Sequence, residues 1–238
     1  MKMLDILVIL LERRNGFMEY KDLNIHKKLG DINIYNCDCM ELLKQTPDKY
    51  YELCITDPPY NIGGDSLHSN RALKSTGKLK NRALNLYCTK WDNIAPTKEY
   101  FTELKRVSKN WIIWGGNYFE LGKARCFIAW DKCQTWENFS QVELAYTSFN
   151  MPSSLFRFDN KTGDKIHPTQ KPVALYNWVL NKYAKPNDKI LDTHLGSGSI
   201  AIACHDLGYE LTACELDEEY YQKAIDRIEN HVKQLRLF

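Results

Sequence analysis

The segment Leu53-Cys-Ile-Thr-Asp-Pro-Pro-Tyr60 ends an apolar run in an acid, two prolines and an aromatic ring. Each proline fixes φ and lacks an N–H, so the turn is rigid and offers carbonyl oxygens in place of donors. If the run is a parallel strand, Asp57 lies at its carboxyl end, where ligands bind in such sheets. The Asp57 carboxylate and the Pro58 carbonyl are then two acceptors beside the flat face of Tyr60. That combination suits a planar substrate bearing an exocyclic amino group. A structural Pro-Pro turn, its aspartate capping backbone and its tyrosine packing, uses the same residue types, so this segment alone does not decide.

A second constellation lies near the C-terminus. Lys189-Ile-Leu-Asp-Thr-His-Leu-Gly-Ser-Gly-Ser199 runs from an apolar strand into a glycine turn and a helix. Gly196 and Gly198 permit a tight turn and close backbone approach by a ligand, with helix-end N–H groups aimed at it. The following strand ends in Glu215, nineteen residues beyond Gly196, where an acid can accept hydrogen bonds from ribose hydroxyls. Strand, turn, helix, strand and acid in that order indicate a nucleoside site. Gly196, Gly198 and Ala201 also satisfy G-x-G-x-x-A, the dinucleotide pattern. Only forty residues follow Gly198, however, too few for a second mononucleotide half and a substrate region. The rest of the sheet must come from upstream, which counts against a dehydrogenase.

The elements that position these residues alternate along the chain. Strands are expected near 32–36, 52–56, 110–114, 125–130, 143–147, 189–193 and 210–215. Helices are expected near 39–44, 96–108, 172–184, 199–207 and 217–234, with Gly208 just past a helix end as a left-handed cap. Strands separated by helices of this length form βαβ units and a mainly parallel sheet covered on both faces. The stretch 1–30 reads as a helical extension, a cap or a dimer element, before one domain over 31–238. Its run Ile6-Leu-Val-Ile-Leu-Leu11 is too short to span a bilayer and lacks a signal-peptide cleavage site.

Composition narrows the class. The chain has 238 residues, 44% hydrophobic and 26% charged, enough for one large domain with a full core. Net charge is +2, so any attraction to nucleic acid must be local. It is concentrated in 61–92, where Arg71, Lys74, Lys78, Lys80, Arg82 and Lys90 face only Asp65 and Asp92. A solvated insertion and a basic arm for phosphate backbones both fit that charge. The eight cysteines include no C-x-x-C pair, so no metal is expected; with no export signal they read as reduced thiols in the cytoplasm.

With both landmarks in view, the chain resembles the β-class of DNA amino-methyltransferases, which use S-adenosylmethionine to methylate exocyclic amines of bases. In that family D-P-P-Y precedes the glycine-rich cofactor motif, the permuted order seen here. Asn36-Cys-Asp-Cys-Met-Glu-Leu-Leu43 is similar to the family segment before the catalytic strand, and His167-Pro-Thr-Gln-Lys-Pro172 to the one before the cofactor strand. The resemblance covers about 31–228. It implies a Rossmann-like sheet of seven strands, mostly parallel, with helices on both faces.

The resemblance also implies roles. Asp192, His194, Leu195, Gly196, Ser197, Gly198 and Ser199 would cradle the methionine part of the cofactor, and Glu215 the ribose. Asp38 and the Cys39 backbone would meet the adenine, with Lys171 close to the cofactor carboxylate. Asp57, between cofactor and base, and Pro58 would accept from the target amine, Pro59 completing the turn and Tyr60 stacking on a flipped base. Two departures stand out. His194 replaces the family aromatic, and is read as packing rather than a proton shuttle. The chain also lacks the large target-recognition domain that many relatives insert before His167. Recognition of duplex DNA then falls to Arg71, Lys74, Lys78, Lys80 and Arg82, to the stretch with Arg157, Lys161 and Lys165, or to a partner. The aromatics Trp111, Trp114, Tyr118, Trp130 and Trp136 are expected mostly as core or pocket wall.

The implied activity is adenine-N6 methylation of DNA, since aspartate in D-P-P-Y favours adenine in this family. Cytosine-N4 methylation is the nearest alternative; a vestigial DNA-binding protein and RNA or protein-amide methylation stand further off. A homodimer and a cognate restriction enzyme remain open as partners, and no membrane association is expected.

Overall fold

The computed structural model describes residues 20, 23, 26–60, 95–135, 140–159, 166, 167 and 169–234. In chain order its elements are β1 (His26–Leu29), β2 (Ile32–Asn36), α1 (Cys39–Gln45), β3 (Tyr51–Thr56), α2 (Lys98–Val107), β4 (Ser108–Trp114), a 3-10 turn (Gly116–Tyr118), β5 (Phe127–Asp131), β6 (Val142–Thr147), β7 (Ser154–Arg157), α3 (Val173–Tyr183), β8 (Lys189–Asp192), α4 (Ser199–Leu207), β9 (Glu210–Glu215) and α5 (Glu218–Lys233). They build one mixed sheet in the order β1-β2-β9-β8-β3-β4-β6-β5-β7. Neighbours from β2 to β4 run parallel, as do β5 and β7, whereas β1/β2, β4/β6 and β5/β6 are antiparallel.

The described sheet therefore has nine strands, not seven. The seven expected strands are all present, and the two additional ones are short edges. His26–Leu29 was expected in a helical extension but forms a hairpin with β2, Leu29 pairing Ile32 across Gly30 and Asp31. Gly30 has φ +62°, the left-handed turn geometry that favours glycine in a two-residue hairpin loop. At the opposite edge, Ser154–Arg157 pairs β5. Four residues are too few for alternation to register as a strand signal. Of the rest of the extension, Tyr20 packs edge-on against Tyr35, with ring centroids 5.2 Å apart.

Period-two alternation explains the layering. Ile32 and Ile34, Leu53 and Ile55, Ile112 and Trp114, and Leu211 and Ala213 face one core with α3, α4 and α5. Tyr35, Cys54, Ile113, Leu191 and Cys214 face the other, with α1 and α2. Helices thus cover both faces. Asp38, Thr97 and Asp217 cap α1, α2 and α5 by accepting N–H bonds from Met40, Tyr100 and Tyr220. Gly208 closes α4 in the left-handed conformation its position implied. Among the described residues no helix is long and apolar enough to cross a membrane.

The late strands β8 and β9 lie between β2 and β3, so the permuted chain order resolves into one sheet. From β8 the connection runs through α4 to β9 on one side; from β3 it leads to β4 on the other. That divergence is a topological switch point, and it opens a crevice at the strands' carboxyl ends. Both motifs end there.

Candidate active site

Asp57 follows the last residue of β3, and the Asp192–Gly198 turn follows β8. Thr56 and Thr193 join the two strand ends through a 2.8 Å hydroxyl contact, extended by Tyr100 at 2.6 Å from Thr193. His194 is drawn into this cluster, its Nδ1 3.0 Å from Thr193 Oγ1 and 3.3 Å from Thr56 Oγ1. Burial lowers the imidazole pKa to about 4, only partly opposed by Asp38. It is therefore neutral at physiological pH, a packing and hydrogen-bonding group.

The turn itself is held from three sides. Gly196 and Gly198 have φ +54° and +73°. A Cβ on Gly198 would lie 2.9 Å from Ile228 Cδ1, so the absence of a side chain is what lets α5 close against the turn. Arg227, also on α5, donates to the Ser197 carbonyl at 2.7 Å and to Ser199 Oγ at 2.9 Å. Glu215 at the end of β9 accepts the Gly196 N–H at 2.8 Å and the Asp217 N–H at 3.0 Å. Burial pushes its carboxyl pKa up, and those backbone donors pull it back. A carboxylate with two occupied lone pairs still has acceptor capacity for hydroxyls. Asp38 caps α1 at an exposed position, and Cys39 opens that helix. Asp192 is buried, its Oδ1 accepting the His194 N–H at 3.0 Å. Desolvation raises its pKa to about 7, with Asp57 and Glu215 adding to the rise.

The His167–Pro172 segment stitches the turn to Asp57. The His167 ring lies near Gly196, about 3.9 Å from where a Cβ would stand, and packs on Tyr220 with centroids 4.5 Å apart. The Lys171 carbonyl accepts Ser199 Oγ at 2.7 Å. Its ammonium, however, is committed to the acid: Lys171 Nζ donates to Asp57 Oδ2 and lies 3.1 Å from Glu143 Oε2. Lys171 side-chain exposure is 3%, and its Nζ stands 5.3 Å from the Trp114 ring centroid. Glu143 in turn pairs with Lys132. Charges therefore alternate along Asp57, Lys171, Glu143 and Lys132 and sum to zero, which makes their burial tolerable.

On its other oxygen, Asp57 accepts from the Tyr60 hydroxyl. Desolvation raises the Asp57 pKa above the ordinary carboxylate value; Lys171 opposes this and Glu143 reinforces it. The Tyr60 ring lies against Gly115, which follows β4 at φ +66°. A Cβ on Gly115 would be 2.1 Å from Tyr60 Cε1 and 2.5 Å from both ring neighbours, which places it directly above that carbon on the ring face. Tyr118 stacks on Tyr60 with centroids 5.1 Å and planes 24° apart, and is itself half exposed.

Asp57, Tyr60, Lys171, Asp192, the Leu195–Ser199 turn and Glu215 thus meet at one crevice mouth. Arg71, Lys74, Lys78, Lys80 and Arg82 lie outside the described residues, as do Lys161, Lys165 and Trp136; Arg157 pairs with Asp131 at 3.1 Å. Trp114 and Trp130 are core side chains. Sequence reading missed Glu143, Gly115 and Arg227. Glu143 shares strand parity with buried Ala145, and an acid on a core-facing parity was the available signal.

Comparison with known proteins finds similar sequences and a shared fold. The family model for N6 and N4 methyltransferases, described as a DNA methylase, matches residues 130–226. Type II methyltransferase M1.MboII from Moraxella bovis is 25% identical over 250 residues, covering 82% of this chain and 95% of that protein. A solved structure of the M1.HpyAVI–SAM complex matches with a TM-score of 0.54 at 21% identity, covering 82% of this chain and 99% of the other. PvuII DNA methyltransferase, described as cytosine-N4-specific, gives a TM-score of 0.54 at 14% identity over 84% and 90% of the two chains. The sequence matches are to DNA amino-methyltransferases, the family that the motif order resembles, and the structural matches share the fold of this chain.

Proposed function

We propose that the protein transfers a methyl group from S-adenosylmethionine to N6 of an adenine flipped out of duplex DNA. The observation carrying this reading is Asp57, a half-buried acid at the switch point, fixed by Lys171 and Tyr60 and directly beside the glycine turn.

The residues present fit the cofactor. Glu215 and Asp38 offer carboxylate acceptors for ribose and adenine, and the turn leaves open space at Gly196, beside Glu215. S-adenosylmethionine supplies a methyl group already activated by its sulfonium, so the protein's task is alignment and electrostatics. An exocyclic amine on a purine is a poor nucleophile because its lone pair is delocalised into the ring. Asp57 and the Pro58 carbonyl accept its N–H bonds and favour the tetrahedral geometry in which the lone pair is available. Asp57 or solvent would take the one proton that the amine must lose on becoming methylated. Extruding the base costs a few kcal/mol, offset by stacking on Tyr60 of about 1–3 kcal/mol.

Aspartate in the D-P-P-Y motif supports adenine over cytosine. With no large recognition domain in 31–238, backbone contacts fall to Arg71, Lys74, Lys78, Lys80 and Arg82. The test is Asp57→Ala beside Tyr60→Ala, read by cofactor affinity and single-turnover methylation. Lys171 keeps Glu143 as a counter-charge in Asp57→Ala, so the fold should survive. Losing a charged acceptor in a dry site removes about 3–4 kcal/mol of transition-state stabilisation, a hundredfold or more in rate. Cofactor affinity should hardly change, while Tyr60→Ala should also weaken base capture. Near-normal turnover in folded Asp57→Ala refutes the assignment.

A further inference from the structure

Glu143 has no part in the chemistry above, yet it is the second acid on Lys171. It comes from β6, far from both motifs in sequence, and its side chain is 23% exposed. Its carboxylate is placed between two ammonium groups, Lys132 and Lys171. Lys171 is likewise placed between two carboxylates. Lys171 itself is buried, so its charge is divided between these partners, and how it is divided sets how strongly it occupies Asp57 Oδ2.

We propose that Glu143 is a positioning residue for methyl transfer, acting on Asp57 through Lys171: it draws off part of the lysine's charge and so keeps Asp57 an effective acceptor for the target amine. The proposal rests on the amino-methyltransferase reading and deepens it. Without Glu143, the ammonium belongs to Asp57 alone. The acid is then more completely neutralised, accepts more weakly from the amine, and holds its proton less readily. With Lys132 removed, Glu143 has one partner instead of two and takes a larger share of Lys171, leaving Asp57 less neutralised. The two perturbations push Asp57 in opposite directions.

The other groups facing Asp57 stay in place in both variants. They are the Tyr60 hydroxyl on its own turn, Asp192 at the end of β8 and Tyr176 on α3. Glu143 and burial raise the acid's pKa while Lys171 lowers it. Amine acceptance requires ionised Asp57, so the acid limb of the pH–rate profile reports it.

The experiment measures single-turnover DNA methylation against pH, with cofactor affinity and thermal unfolding, for the wild type, Glu143→Gln, Glu143→Asp and Lys132→Met. Glu143→Gln should lower the plateau rate about tenfold, as coupled neighbours do, and move the acid limb to lower pH with cofactor affinity unchanged. Glu143→Asp keeps the charge and should retain the wild-type limb. Lys132→Met should move the limb to higher pH, a readout that remains if Glu143→Gln does not fold. Limbs that coincide with the wild type in every folded variant overturn the inference, including the case where rate falls only together with unfolding temperature. A wild type that transfers no methyl group to DNA overturns the function reading and this inference with it; an active wild type with unmoved limbs overturns this inference alone.

Discussion

Gly115 is the position where one added methyl group should do most damage. Alanine there would place Cβ 2.1 Å from Tyr60 Cε1, whereas ordinary contact begins at 3.4 Å, so the ring must retreat by about 1.3 Å. A retreat of that size breaks the hydroxyl contact with Asp57 and moves the stacking face. Misplacing a positioning group by about 1 Å costs on the order of a hundredfold in rate. The substitution carries a second penalty, because φ is +66° and a side chain in the left-handed region costs roughly 1–2 kcal/mol. Gly122 separates the two effects: it has φ +85° with no atom within 4 Å of its Cβ position, so Gly122→Ala carries the strain without the collision. Single-turnover methylation should therefore fall about a hundredfold in Gly115→Ala and remain near wild type in Gly122→Ala. Both should lose similar amounts of stability from backbone strain and bind cofactor normally. Equal turnover in the two variants would refute the argument that Gly115 exists to seat Tyr60.

Two further outcomes follow from charge. The folded-state pKa of Asp192 is raised from the usual 3.8 to about 7, so the folded protein holds that proton more tightly. Its stability contribution is complete below the unfolded pKa and is lost as pH rises through about 7. Asp192→Asn should therefore gain stability relative to wild type across that window, by up to roughly 4 kcal/mol, in urea unfolding at either end; a constant difference would contradict the shift. Replacing Arg71, Lys74, Lys78, Lys80 and Arg82 by alanine should weaken DNA binding and reduce its salt slope by about 0.9 per lost phosphate contact. An unchanged slope would show that these side chains do not meet DNA.

Much of this architecture was legible because strand alternation and motif order are local signals. Leu53, Cys54 and Ile55 alternate between the two cores, and the Gly196–Gly198 turn sits between a strand and a helix as its residue types require. The hairpin at Gly30-Asp31 was not legible, because His-Lys-Lys-Leu is too polar and too brief to announce a strand. The site's charge network was not legible. Lys171 carries a motif position that implied the cofactor carboxylate, and nothing local indicates that Asp57 and Glu143 flank its ammonium. That contact joins residues on β3, β6 and the segment before α3, which only the assembled sheet brings together. Gly115 was hidden for a similar reason: its need for no side chain comes from Tyr60, on the neighbouring strand's exit.

The proposed product is a methyl group on adenine N6. Its most direct test incubates the protein with unmethylated duplex DNA of mixed sequence and S-adenosylmethionine carrying an isotopically labelled methyl group, then digests the DNA to nucleosides for mass spectrometry. Label should appear in N6-methyldeoxyadenosine and be absent when Asp57→Ala replaces the wild type. Label confined to N4-methyldeoxycytidine, or no label from a folded protein that binds the cofactor, would contradict it.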